Sequence, residues 1–224
     1  MSDVLAHLAR PPYYVCAKNF SPSGDPSAVR ALLGEQSDAD DVCFTKVRIN
    51  PAASERAGAG TQLSRTHRAM GLHTDSSYER RPHELIAFQM VHADADGGDT
   101  ILAPVGEVVD RLDAAKLDTL RQPIFPFGKT AHAILEGHAS DTRIRYYRRQ
   151  IAPGLDPLKP NSLKCIQALD ELDATLAKVG ERHRIKLAPG DVLFLNNCKA
   201  LHGRTAMPST SDRLVFRFRK HIET

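Results

Sequence analysis

The sequence has no CxxC pair. Its four cysteines, Cys16, Cys43, Cys165 and Cys198, stand far apart, which excludes a zinc ribbon and fits reduced thiols of a core or pocket. No apolar run approaches membrane-spanning length, and the opening stretch Met1 to His7 lacks the basic and apolar regions of a secretory leader, so a soluble, cytoplasmic protein is expected. There is also no long block of charge of one sign. With 30 Lys and Arg against 27 Asp and Glu, the formal net charge is +3, and the basic residues are scattered, which gives nucleic acid or a membrane surface little to hold. What remains is 224 residues, 42% of them hydrophobic, enough for a single globular domain over 1–224.

The first seventy residues read as an α/β preamble. Tyr13 to Cys16 and Val42 to Ile49 are strand candidates, and Pro26 to Gln36 is a helix candidate capped by Asp25. The Ala- and Gly-rich stretch 51–61 has no period and, because it leads towards His73, is a candidate lid. From His83 to Val91 both faces of a strand are apolar, as in a sheet covered on both sides. A Gly97-Gly98 turn then delivers Thr100 at the start of a further strand. Pro104 to Leu120 has helical periodicity with a break at Asp113, and Leu163 to Val179 has it again, capped by Asn161 or Ser162 and stopped by Gly180. Between them, Arg143 to Arg149 interleaves bases with aromatics. Such a cluster could contact RNA, but a strand with a solvated basic face is the favoured reading.

Chemistry concentrates in two places. In the extended stretch Gly71-Leu72-His73-Thr74-Asp75 the period of two puts His73 and Asp75 on one face and Thr74 on the other, so one short strand offers two ligands to one metal ion. His202, in Leu201-His202-Gly203-Arg204, would complete a two-histidine, one-carboxylate facial triad of the kind that leaves positions open on non-haem Fe(II). In the last strand, Leu214, Phe216 and Phe218 share one face, while Arg213, Val215, Arg217 and Arg219 share the other. If the apolar face meets covering helices, the arginines look inward, and buried guanidinium groups require carboxylates or an anionic ligand. An edge strand with solvated arginines is the alternative. The other histidines read as surface or hydrogen-bonded structural residues.

Taken together and in order, His73-Thr74-Asp75, the Gly97-Gly98-Asp99-Thr100 turn, Asn197 followed by Leu201-His202-Gly203-Arg204, and Asp212-Arg213 followed by Arg217 resemble the motifs of Fe(II)/2-oxoglutarate-dependent dioxygenases of the taurine dioxygenase and clavaminate synthase-like group. The resemblance implies a mainly β fold with flanking helices, a double-stranded β-helix (jelly-roll, cupin-like) barrel over 71–224, with some lid or insertion of larger relatives trimmed. It implies Fe(II) held by His73, Asp75 and His202, with 2-oxoglutarate as co-substrate, its far carboxylate at Arg213 and Thr100, and O2 as oxidant. Arg217 would reach an acidic group of the substrate, a second 2-oxoglutarate contact or a structural ion pair being the alternatives. Ser76, Ser77, the stretch Gln62 to Thr66 and Arg145 are further candidates for the substrate pocket. The expected reaction is hydroxylation of a small acidic or amino-acid-like molecule with release of succinate and CO2. Desaturation and cyclisation remain open, and the carboxylate of Asp75 argues against halogenation. Two other readings use the same residues: a hydrolytic zinc site at His73, Asp75 and His202, or a non-catalytic binding module of the same fold. Nothing in the sequence fixes the oligomeric state.

Overall fold

The computed structural model describes residues 1–34, 42–50 and 63–222. Thirteen strands and six α-helices occur among them: α1 (Ser2–Leu8), β1 (Tyr14–Ala17), α2 (Ser27–Leu32), β2 (Val42–Arg48), β3 (Met70–His73), β4 (Leu85–His92), β5 (Thr100–Pro104), α3 (Val105–Val109), α4 (Ala114–Leu120), β6 (Phe125–Phe127), β7 (Thr130–His132), β8 (Leu135–Glu136), β9 (Arg143–Ile144), α5 (Arg148–Ile151), α6 (Pro160–Gly180), β10 (Arg184–Ile185), β11 (Val192–Asn196), β12 (Ala200–Arg204) and β13 (Leu214–Lys220). Two antiparallel sheets dominate, one of five strands in the order β1-β11-β4-β13-β2 and one of four in the order β10-β5-β12-β3.

Side-chain alternation decides what each sheet faces. On β13, Phe216 and Phe218 join Leu85 and Ala87 of β4 in a cluster with Leu8, Val29 and Leu33, which seals the outer face of the five-stranded sheet under α1 and α2. Residues of the opposite face, Ile86, Met90 and Val215, meet Leu102 of β5 and Leu193 and Leu195 of β11 in a smaller cluster that joins the two sheets. Outside the four-stranded sheet, Ala103, Ala200 and Leu201 pack with Leu120 of α4 and with Leu169, Leu172, Leu176 and Val179 of α6. Helices thus cover both outer faces, and the space between the sheets belongs partly to core and partly to polar groups. This is the expected mainly β, jelly-roll-like arrangement, but as two facing antiparallel sheets: among the described residues they do not close into a barrel, and β1 and β2 of the first seventy residues belong to the larger one.

Several local expectations change. The stretch Arg143 to Arg149 is a strand only over Arg143–Ile144, and Arg148 begins a short helix. The reason is tertiary: the Tyr146 hydroxyl donates to Asp173 of α6, and Arg148 pairs with Asp170 at 2.7 Å and Asp173 at 3.2 Å, so these two residues clamp an acidic helix face instead of lying solvated on a strand. In α6 the N-cap is Lys159, without a side-chain bond, and Leu163 is left exposed because the buried stripe runs through Cys165, Ala168, Leu169, Leu172, Leu176 and Val179. Gly180 lies within the helix, where a Cβ would sit 2.7 Å from Ile101 of β5; its bareness lets α6 settle on the sheet. Helix α2 spans only Ser27–Leu32, and the stretch 51–61 considered as a lid lies outside the described residues.

Candidate active site

Strands β3 and β12 are hydrogen-bonded neighbours in which His73 and His202 are direct partners, so both imidazoles rise side by side from the inner face of the four-stranded sheet. Beyond the end of β3 the alternation persists. Thr74 turns outward, its N–H donating to Tyr146 O at 2.7 Å and its hydroxyl oxygen accepting from Tyr146 N at 3.0 Å, and this leaves Asp75 on the side of His73. Asn197, which precedes β12, grips the Asp75 backbone from both directions: its Oδ1 accepts from Asp75 N at 2.8 Å and its Nδ2 donates to Asp75 O at 3.0 Å. The same amide donates to His83 O at 2.8 Å. Fully buried and fully bonded, Asn197 is the residue whose role the sequence motif does not disclose.

Three donor atoms converge. Asp75 Oδ1 lies 3.6 Å from His73 Nε2 and 3.7 Å from His202 Nε2, and the two imidazole planes meet at 51° with centroids 4.3 Å apart. His73 Nδ1 lies 2.9 Å from Gly71 O; a carbonyl can only accept, so the proton sits on Nδ1 and the Nε2 lone pair faces the triad. Burial and the neighbouring His73 push the His202 pKa down to about 3, which leaves it neutral and ready to ligate at pH 7. Burial alone would raise the Asp75 carboxyl, but Arg217, with the two histidines, holds it well below the usual carboxylate range. His73 Nε2 is buried with no hydrogen-bond partner. Two imidazoles, one carboxylate and an unsatisfied inward lone pair fit a divalent first-row metal such as Fe(II).

Behind the triad a narrow cavity of about 60 Å³ is lined by Thr100, Arg213, Arg204, Met70, Phe88 and Val215 among others. Arg213 is buried, makes no ion pair among the described residues and has an unsatisfied Nε; burial, with Arg204 nearby, pushes its pKa down to about 10. A buried cation in this state is stabilised by an incoming carboxylate. Gly98, at φ +69°, sets its backbone against this side chain, where a Cβ would come within 3.2 Å of Arg213 Cδ. Arg204 is turned elsewhere: it donates to the carbonyls of Ser64, Thr66 and Arg68, tying down the segment that walls this side.

On the other side of the triad opens a pocket of about 380 Å³, which Ser76, Ser77, Tyr78, Tyr147, Gln150 and Arg217 help to line. Arg217 Nη1 lies 3.0 Å from Asp75 Oδ2, the ion-pair alternative of the sequence reading. Ser76, at φ +55°, has its hydroxyl 2.8 Å from His83 Nδ1, and Ser77 donates to Gln150 Oε1 at 2.7 Å. Arg145 departs from the expected substrate contact. Its guanidinium donates to the carbonyls of Ser77, Glu79 and Arg80, so it shapes the loop carrying Ser76 and Ser77 and is not among the residues lining the pocket. Of the stretch Gln62 to Thr66, Leu63, Ser64 and Arg65 reach the pocket wall, and Gln62 lies outside the described residues.

A second group of possible ligands, Glu79, His83 and His221, gathers behind Ser76. Here the imidazoles are stacked, 4.4 Å apart and only 13° from parallel. In-plane lone pairs on near-parallel rings do not converge on one point, so this group is a hydrogen-bonded stack and not a metal centre.

The family model described as Taurine catabolism dioxygenase TauD, TfdA family matches residues 27–219. Among solved structures, an asparagine oxygenase in complex with Fe(II), 2S,3S-3-hydroxyasparagine and succinate aligns with a TM-score of 0.67 at 20% identity, over 80% of this chain and 56% of that one. The non-heme iron oxygenase OrfP in complex with Fe and alpha-ketoglutaric acid aligns with a TM-score of 0.64 at 18% identity, over 88% of this chain and 63% of that one. The chain therefore spans about three fifths of the length of these structures, and at such identities the likeness is one of fold. No curated protein matches.

Proposed function

This chain belongs to the TauD, TfdA dioxygenase family, and on that footing we propose that it is a non-haem Fe(II)- and 2-oxoglutarate-dependent dioxygenase hydroxylating a small acidic or amino-acid-like substrate. The observation that carries the reading is the pairing of two features: a convergent, buried His73, Asp75 and His202 set, and beside it a buried Arg213 that makes no ion pair among the described residues. A hydrolytic zinc site would use the same three ligands but gives no purpose to that arginine. A binding module of this fold would have no need to keep all three ligands.

When bound, Fe(II) with 2-oxoglutarate and O2 supplies the oxidising power, the co-substrate leaving as succinate and CO2 while one oxygen atom enters a substrate C–H bond. The protein's own part is placement. His73, Asp75 and His202 would hold the ion and leave it open to co-substrate and oxygen. Arg213 receives the far carboxylate of 2-oxoglutarate through a charge-assisted pair, with Thr100 donating a further bond. Ser76, Ser77 and Arg217 face the substrate, and Arg217 also restrains Asp75 through the ion pair described above. The asparagine oxygenase and OrfP structures hold hydroxylated amino acids, 3-hydroxyasparagine and (3S)-hydroxy-L-Arg, which supports an amino-acid-like substrate here. A cytoplasmic setting fits the four free cysteines, and no helix among the described residues is long and apolar enough to cross a membrane.

The test is an anaerobic titration of apoprotein with Fe(II) and then 2-oxoglutarate. A visible charge-transfer band that needs both additions and is absent from His73→Ala is the expected result. An iron-loaded, folded protein that shows no band would remove the co-substrate assignment.

A further inference from the structure

Two arginines of β13, Arg217 and Arg219, line the larger pocket, and their charges are answered differently. Arg217 Nη1 sits on Asp75 Oδ2, whereas Oδ1 is the carboxylate oxygen nearer both His73 and His202. Arg217 can therefore hold Asp75 by one oxygen and leave the other to a metal ion. Its charge is committed to the triad.

Arg219, two residues further along the same face, has no carboxylate. Its cross-strand neighbours are Cys43 of β2 and Ile86 of β4, both neutral. The acidic residues of the adjoining loop are engaged elsewhere: Glu84 with Arg81, His221 and the Ile222 N–H, and Glu79 towards His83, 3.9 Å away. Among the described residues Arg219 makes no ion pair. Its one hydrogen bond runs from Nη1 to the neutral Ser76 Oγ, at 3.3 Å, and its Nε is buried without a partner. Ser76 is itself fixed. Asn197 grips Asp75 on one side of it and Arg145 takes the Ser77 carbonyl on the other, which holds the serine at φ +55° with its hydroxyl between His83 and Arg219. A half-buried guanidinium without a carboxylate is stabilised by an incoming anion, and its planar fork suits the two oxygens of one acid group.

We propose, resting on the dioxygenase reading above, that Arg219 is the residue that selects the substrate: it receives a single carboxylate of a small organic acid, amino acids included, with the Ser76 hydroxyl beside it. Arg217 lines the same pocket but serves the metal carboxylate. An uncharged relative of the substrate, such as its amide, has no negative charge to offer Arg219 and binds correspondingly more weakly.

The experiment uses the anaerobic Fe(II)/2-oxoglutarate protein, whose charge-transfer band reports the dioxygenase reading before any substrate is added. The twenty amino acids and their N-acetyl derivatives are then titrated, each against its own carboxamide. A molecule in the substrate pocket shifts the band, whereas one competing for the 2-oxoglutarate site abolishes it. The expected result is that at least one acid shifts the band at roughly ten-fold lower concentration than its amide, the scale of one charge-assisted contact. In Arg219→Gln that acid and its amide should act at equal concentrations, and in Arg219→Lys, which keeps the charge but not the fork, part of the difference should remain. Both variants should still form the band, which shows that they are folded and loaded; if Arg219→Gln does not form it, the reduced ratio in Arg219→Lys carries the test. Arg217→Gln, at saturating iron, should keep the acid-over-amide ratio while its iron affinity falls. Amides that do as well as their acids throughout, a ratio that survives unreduced in both Arg219 variants, or a ratio lost in Arg217→Gln alone would each overturn the proposal and leave the dioxygenase reading intact. Failure of the band to form in the unaltered protein would remove both.

Discussion

Two clusters of two histidines and a carboxylate lie on either side of the loop 74–83, and they differ in almost everything but composition. At His73, Asp75 and His202 the imidazole planes cross at 51°, all three residues are buried, and both histidines stand on paired strands. At Glu79, His83 and His221 the rings lie 13° from parallel, only His83 is buried, and each histidine has turned Nδ1 to a partner, Ser76 for His83 and Glu84 for His221. The lesson is that a ligand set is defined by where lone pairs point. A strand ladder makes them converge; a loop packed on a chain end lets the rings stack.

The contrast is sharpened most by deleting ligands. His202→Ala or Asp75→Ala should lower Fe(II) affinity by at least about 100-fold, the scale at which even outer residues of metal sites act, whereas His221→Ala should leave one iron per chain, as read by metal content after dialysis. Arg213→Ala comes next: loss of a buried charge partner costs about 3 kcal/mol or more, a 100-fold rise in the 2-oxoglutarate dissociation constant, with iron affinity unchanged. Asn197→Ala, which frees the Asp75 backbone, should weaken iron binding about 10-fold while leaving the fold cooperative, as followed by metal competition and thermal melting. Arg217→Ala should reduce substrate-dependent turnover more than 2-oxoglutarate affinity; equal effects on both would move Arg217 out of the substrate pocket. The smallest effect belongs to the stacked pair, where His221→Ala should cost at most about 1 kcal/mol of stability because its bond to Glu84 is half-exposed.

Where a residue's partner is fixed by strand period, the sequence was readable. Alternation on β13 placed the phenylalanines under the helices and the arginines inward, and the same period put His73 and Asp75 together. Where a partner comes from a distant segment, it was not. Nothing near Tyr146 and Arg148 announces Asp170 and Asp173 on α6, so a clamp between segments looked like a solvated strand. Asn197 and Arg204 could be picked out as motif residues, but their work on the Asp75 backbone and on the carbonyls of 64–68 depends on side-chain direction, which no spacing encodes. Likewise β2 pairs with β13 and brings Thr45 and Val47 to the pocket wall, a contribution from the preamble that only the sheet order discloses.

Strand β13 and the residue before it also bear on how such a protein could change its selectivity. Arg213, Arg217 and Arg219 stand in one row, beside the narrow cavity, the Asp75 carboxylate and the larger pocket in turn. Inserting or deleting one residue within this row would turn phenylalanines inward and arginines into the helix-covered core, disturbing all three places at once. Diversification along this edge is therefore confined to exchanging side chains at fixed positions. Length variation, the usual raw material of new pockets, has to come from the loops.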